Sequence, residues 1–272
     1  MKSNLKISIL LVLMVFFTLS SCKKETKLNT KKPVEKETIQ KHKSCDEVHW
    51  SYHDKENGPE NWKNLCDGFS DCGGKNQSPI DIVTTKVENL VTLKKPVVKY
   101  GTNKVNIINN GHTVQFNIEP GNFVELNGKK YELLQFHFHA LSEHTIDGKH
   151  FPLEAHFVHK NNDTDYAVLG VLFTEGKSNP LLGKYLDNFP KTKGNFKSDE
   201  TFSIENMLPK NKEYYYYKGS LTTPPCSEVV NWYVLKETQT ASKNELEKFA
   251  EILHNNYRPV MPLNERKVYT RK

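Results

Sequence analysis

Residues 135–159 read Gln-Phe-His-Phe-His-Ala-Leu-Ser-Glu-His-Thr-Ile-Asp-Gly-Lys-His-Phe-Pro-Leu-Glu-Ala-His-Phe-Val-His. His137 and His139 stand two residues apart, so on a β-strand they point to one side. Phe136 and Phe138 point to the other, toward an apolar layer. Asp147-Gly148 marks a turn. A second strand, Leu153 to His159, puts Glu154, His156 and Val158 on a common face. Pairing of the two strands brings His156 beside His137 and His139. Three neutral imidazoles converging from rigid strands form a catalytic zinc site with its fourth position open to water. One His-x-His pair among 11 histidines would say little alone. Its company says more: Gln135 shares the face of His137, and Glu154 that of His156. Metal-bound histidines donate their second N–H to such groups, which fixes ring orientation and tautomer.

Gln-Phe-His-Phe-His, Ser-Glu-His-Thr and Glu-Ala-His-Phe-Val-His resemble the zinc motif of the α-class carbonic anhydrases. The resemblance runs from His49-Trp50 to Lys267. Trp50, Tyr52, Asn57-Gly58-Pro59-Glu60 and Trp62 resemble the family's opening segment, in which the tyrosine reaches the active-site rim. Residues 74–82, Gly-Lys-Asn-Gln-Ser-Pro-Ile-Asp-Ile, are similar to its Gln-Ser-Pro-Ile-x-Ile. The fold implied is mainly β (α+β): a single domain on a large, twisted, mostly antiparallel central sheet with short surface helices. The activity implied is zinc-dependent reversible hydration of carbon dioxide to bicarbonate and a proton.

The resemblance also implies roles. His137, His139 and His156 would bind Zn2+. Asn109-Asn110-Gly111-His112 is similar to the proton-shuttle segment, with His112 as the shuttle; a histidine titrates near neutrality. In residues 220–225, Ser-Leu-Thr-Thr-Pro-Pro, the Thr222 hydroxyl would donate to buried Glu143. A hydroxyl has one donor, so its oxygen would be left to orient the attacking hydroxide. Thr223 would contact bicarbonate. Val158, Val168, Leu221 and Trp232 would form the apolar wall for carbon dioxide, with Asn110 and Gln115 on the polar side. Asn256 would receive a ligand N–H on its backbone carbonyl, and His144 and His159 would be structural. Ala140 departs from the Trp common there in animal members. A catalytically silent binding relative would lose a zinc histidine, and none is lost. A zinc-delivering lipoprotein would carry ligands in exposed, flexible clusters, whereas these lie on core strands.

The 272 residues suit one domain with appendages. The formal charge of +6 is misleading, because residues 1–44 hold ten Lys and three Glu, or +7, which leaves −1 for residues 45–272. A domain without a basic face does not bind nucleic acid. Residues 1–22 read as an export signal: Lys2 and Lys6, an apolar run from Ile7 to Phe17, then Leu19-Ser20-Ser21-Cys22. That ending resembles the bacterial lipobox, in which the cysteine is acylated and anchors the mature chain to the membrane. Residues 23–44, rich in Lys, Thr and Glu, read as a flexible tether, and the catalytic domain spans 45–272. The protein is therefore expected to be exported and membrane-anchored, facing the periplasm or the exterior.

Without Cys22, four cysteines remain: Cys45, Cys66, Cys72 and Cys226. An even set in an exported chain suggests two disulfides, with three pairings open. The resemblance implies Cys72–Cys226, leaving Cys45–Cys66. Val105, Ile107, Val114, Phe116 and Ile118 alternate partially, Asn127-Gly128 signals a hairpin, and Ala167 to Phe173 reads as a buried central strand. Asn179-Pro180 opens one helix, on Leu181, Leu182, Tyr185 and Leu186. Ser242 with Glu245 forms a capping box for another, with Leu246, Phe249, Ala250 and Leu253 as its apolar stripe.

Overall fold

The computed structural model describes residues 44–271. Residues 1–43, which include the expected export signal 1–22 with Cys22 and most of the expected tether, lie outside the described residues.

Eight strands carry the architecture: β1 Thr102–Asn109, β2 Val114–Asn117, β3 Lys129–His139, β4 Leu153–Asn162, β5 Asp165–Glu175, β6 Gly194–Ser203, β7 Tyr214–Gly219 and β8 Val230–Leu235. Across the sheet they run β6-β1-β2-β3-β4-β5-β8-β7, and short strands bring the sheet to 13 among the described residues. Neighbours in this run are antiparallel except β5 and β8, which are parallel. The mostly antiparallel sheet expected from the sequence is the one observed.

The alternation of β3 changes phase along its length. Tyr131 and Leu133 are buried in the main core, and so are Phe136 and Phe138. Odd and even residues can both face the core only if one residue is added between them. A β-bulge does this: Leu133 pairs with His159 and Gln135 with Val158, leaving Leu134 unpaired with β4 and exposed. Beyond the bulge, His137 and His139 point away from the Phe layer. On β4, Leu153, Ala155 and Phe157 enter that layer, so Glu154, His156 and Val158 face the site, as the period-two reading requires.

Local signals act as expected. Asn127 and Gly128 form the tight turn before β3, both at positive φ (52° and 87°), the geometry that favours Asn-Gly. Asn179 caps Pro180–Tyr185 by accepting from Leu181 N and Leu182 N. Ser242 and Glu245 make the capping box of Lys243–Leu253. Glu245 also accepts from Asn179 N, at 3.1 Å, and from the Ser178 hydroxyl, so one buried carboxylate ties the two helix starts together. The apolar stripe differs by one residue: Ile252 is buried and Ala250 exposed. The face opposite the sheet is set by Leu246, Phe249 and Leu253, and Ile252, one turn beyond Phe249, falls within it.

Both disulfides form, Cys45–Cys66 and Cys72–Cys226, closing 21 and 154 residues of chain. The loop-entropy relation assigns about 3 and about 5 kcal/mol to them. The longer one is buried beside Trp62 and joins the segment before Gln77-Ser78-Pro79 to the end of the Thr222–Pro225 loop. No helix among the described residues is long and apolar enough to cross a membrane.

Candidate metal centre

His137 lies directly opposite His156 in the β3–β4 register. The ring centroids are 5.0 Å apart for His137–His139, 5.3 Å for His137–His156 and 4.6 Å for His139–His156. One nitrogen of each ring falls within 4.8 Å of the other two. The remaining nitrogens are engaged behind the rings. His137 Nδ1 donates to Gln135 Oε1 at 2.9 Å, and His139 Nδ1 donates to the Asn256 carbonyl at 2.7 Å. His156 Nε2 faces Glu154 Oε1 at 2.9 Å. Nε2 of His137 and His139 and Nδ1 of His156 are therefore left to converge. His139 Nε2 is buried without a hydrogen-bond partner, a costly state for a lone pair unless a cation takes it. Three buried imidazoles, two with their outer nitrogens hydrogen-bonded and the third facing a carboxylate, are a donor set that fits zinc.

Electrostatics favour donation. Desolvation holds His137 well below and His139 below the usual imidazole range, with neighbouring imidazoles adding to the effect, so both stay neutral. Burial would also lower His156, but Glu154 outweighs it and raises the ring. Burial would push Glu154 up; His144 and His156 outweigh it and hold the carboxyl well below the usual range.

Glu154 is fixed from both sides. Its Oε2 accepts His144 N at 2.9 Å and its Oε1 accepts His144 Nδ1 at 2.8 Å. His144 Nε2 then lies 2.7 Å from the Tyr217 hydroxyl, itself 2.9 Å from Ser78 Oγ, which accepts Ser220 N. All of these groups are buried. His144, read from sequence as structural, thus links the carboxylate behind His156 to the first residue of the Thr222 loop. Nothing local in the sequence signals this, although Ser78 lies in the Gln-Ser-Pro segment. His159 is structural as expected: it faces the core, donates from Nδ1 to the Ala167 carbonyl at 3.2 Å and bonds the Tyr100 hydroxyl through Nε2.

One expected contact is absent. No hydrogen bond joins Thr222 to Glu143. Glu143 Oε1 accepts Arg258 N at 2.8 Å, and Oε2 has no hydrogen-bond partner. Oε2 points at the imidazoles instead, 3.5 Å from His139 Nε2 and 3.8 Å from His156 Nδ1.

The apolar residues do come together. Val168 pairs with Val158 on one side and Trp232 on the other, and Leu221 packs on the same cluster. The Trp232 ring lies 4.8 Å from that of His156, and its Nε1 donates to Ser220 O at 3.0 Å. Thr222 is buried in this loop, and Thr223 O accepts Cys226 N at 2.8 Å. Gln115 stands opposite His137 across β2–β3. Asn110 shapes the His112 turn: its Oδ1 accepts His112 N and Thr113 N, both at 2.9 Å. Asn256 Nδ2 holds the His112 carbonyl at 2.9 Å. The His112 ring stacks on Trp50 with centroids 3.8 Å apart and an 11° tilt. Burial, then His49 and Lys193, lowers its pKa.

Residues 57–272 match the eukaryotic-type carbonic anhydrase family. The chain belongs to this family. It is 44% identical to a carbonic anhydrase of Neisseria gonorrhoeae over 226 residues, 81% of this chain and 87% of that protein. A carbonic anhydrase of Pectobacterium carotovorum is 43% identical over 228 residues, 82% of this chain and 91% of the relative. The fold matches the α-carbonic anhydrase of Thermovibrio ammonificans, solved with sulfanilamide, at a TM-score of 0.78 and 44% identity, covering 82% of this chain and 99% of that one. An enzyme of the carbonic anhydrase class accounts for the convergent histidines and for the apolar wall beside them.

Proposed function

We propose that the protein catalyses zinc-dependent reversible hydration of carbon dioxide to bicarbonate and a proton. The observation that carries this reading is the convergence of His137, His139 and His156, with the outer nitrogens of His137 and His139 hydrogen-bonded to Gln135 and Asn256 and that of His156 2.9 Å from Glu154 Oε1. Bound zinc supplies Lewis acidity that acidifies a water molecule, a chemistry for which carbonic anhydrase is the standard instance. The three imidazoles hold the ion and Glu154 keeps His156 oriented. Val158, Val168, Leu221 and Trp232 offer carbon dioxide a small apolar wall. Glu143 is fixed through Oε1 by Arg258 N at 2.8 Å. The Thr222 oxygen then orients the attacking group, and Thr223 contacts bicarbonate. His112 carries the proton out. The test is metal content with stopped-flow hydration and sulfonamide inhibition: His139→Ala loses most zinc and nearly all activity. A variant with full zinc and full rate would refute the three-histidine site.

Two disulfides fit an oxidising compartment outside the cytoplasm. We further propose that residues 1–22 direct export, that Cys22 carries the lipid anchor, and that residues 23–44 tether the domain 45–272 to the membrane. Cys22→Ser then moves the protein from the membrane to the soluble fraction with unchanged specific activity; retention on the membrane would point to another anchor.

A further inference from the structure

Arg258 is only 1% exposed, although it carries a permanent charge. Burial lowers its guanidinium pKa to about 10, still far above neutrality, so the charge is kept. Alone in an apolar interior such a charge would be costly. Here three carbonyl oxygens meet it. Nη1 donates to Gln77 Oε1 at 2.8 Å and to Ser78 O at 2.9 Å, and Nη2 donates to Cys72 O at 3.0 Å. The guanidinium carbon lies 5.4 Å from the centre of the Trp62 ring. A planar fork of N–H groups suits three fixed acceptors, whereas a lysine has one nitrogen.

The residues so held grip both ends of the loop that carries Thr222 and Thr223. At one end, Ser78 N donates to Ser220 Oγ at 2.9 Å and Ser78 Oγ accepts Ser220 N at 3.1 Å. At the other, Gln77 Nε2 donates to Cys226 O at 3.2 Å, and Cys226 is bonded to Cys72. The backbone of Arg258 reaches the opposite way: its N donates to Glu143 Oε1 at 2.8 Å. Glu143 Oε2 lies 3.5 Å from His139 Nε2. One buried residue therefore ties the threonine loop to the carboxylate beside the metal-site imidazoles.

We propose that Arg258 is a positioning residue for hydration, which sets where Thr222 and Thr223 stand relative to Glu143 and the metal site. The inference rests on the reading of Thr222 given above. Arg258 touches none of the reacting atoms and acts only through the loop. Its effect on rate therefore requires the Thr222 hydroxyl to be present.

The test is a double-mutant cycle on the zinc-loaded protein, with metal content and stopped-flow hydration measured at high buffer concentration. Arg258→Met keeps zinc and lowers kcat/KM for carbon dioxide about 10- to 100-fold, the scale of a misplacement of about 1 Å made away from the chemistry. In a Thr222→Ala background the same substitution changes kcat/KM by less than about threefold, because the group it places is gone. Arg258→Lys, which keeps a charged donor, loses less than Arg258→Met. Hydrogen exchange gives a readout apart from activity: the amides of Leu221 and Cys226, which close the loop onto Ser227 O and Thr223 O, exchange about tenfold faster in Arg258→Met, the value of one hydrogen bond to a charged group. If Arg258→Met does not fold, Gln77→Met, which leaves the guanidinium bonded to Ser78 and Cys72, decides by the same cycle. Equal losses in the two backgrounds, equal losses in the Lys and Met variants, unchanged loop exchange, or loss of zinc overturns the role of Arg258 alone. A wild-type protein without hydration activity, or Thr222→Ala at the native rate, overturns the underlying reading and this inference with it.

Discussion

Gly170 lies on β5 opposite His156. A methyl group there would stand 3.0 Å from Glu154 Oε1 and 3.5 Å from Val234 Cγ2. The carboxylate has no room to yield. His144 holds both its oxygens, at 2.8 and 2.9 Å, and His156 Nε2 faces it at 2.9 Å. Inserting a methyl into a filled interior costs about 1–3 kcal/mol. Displacing a carboxylate that orients a metal-bound imidazole weakens metal binding by about 10- to 100-fold, or about 1.4–2.8 kcal/mol. Both figures describe the same displaced oxygen and are not added. Gly170→Ala is therefore expected to raise the zinc dissociation constant about 10- to 100-fold. Competition against a chromophoric chelator at neutral pH measures that constant, and urea denaturation of the metal-free protein reports the packing cost separately. Native zinc affinity in a variant destabilised by the expected amount would show that Glu154 does not govern His156, and would refute the reasoning.

His112→Ala should lower kcat in dilute buffer while leaving kcat/KM for carbon dioxide nearly unchanged, and added imidazole should restore kcat; an unchanged kcat with no imidazole response would make His112 a turn residue only. Thr222→Ala should keep zinc and lose about 100-fold in hydration rate, on the order of 3 kcal/mol, whereas Thr222→Ser should retain much more, and equal rates in the two variants would contradict the orienting role. His159 gives a pH signature: burial lowers its folded pKa to about 4, against about 6.5 in the unfolded chain. Between these values the unfolded state binds the proton and the folded state does not, so the contribution is complete above about pH 6.5 and is lost as pH falls toward 4. The loss amounts to about 3 kcal/mol, and urea midpoints across this range should fall less steeply in His159→Gln; identical slopes would show that His159 does not titrate as described.

Period-two alternation made much of the site legible in the sequence. It placed His137 with His139 and Glu154 with His156 and Val158, because side-chain direction along a strand depends only on local geometry. Asn179, Ser242 with Glu245, and Asn127-Gly128 were legible for the same reason: caps and tight turns are decided within four residues. What needed the tertiary structure depended on register and on distant chain. The bulge at Leu134 lets Tyr131, Leu133, Phe136 and Phe138 all enter the core while His137 and His139 face away, and one added residue leaves no mark in composition. The Asn256 carbonyl reaches His139 from 117 residues along the chain, and Arg258 N reaches Glu143 from 115. Gly170 in an apolar run looked like any small core residue until Glu154 was found against it. The stacking of His112 on Trp50, beside Lys193, likewise follows from three segments meeting. Local geometry chose which groups could bind a metal, whereas long-range packing decided which nitrogens were left free to do so and what surrounds them.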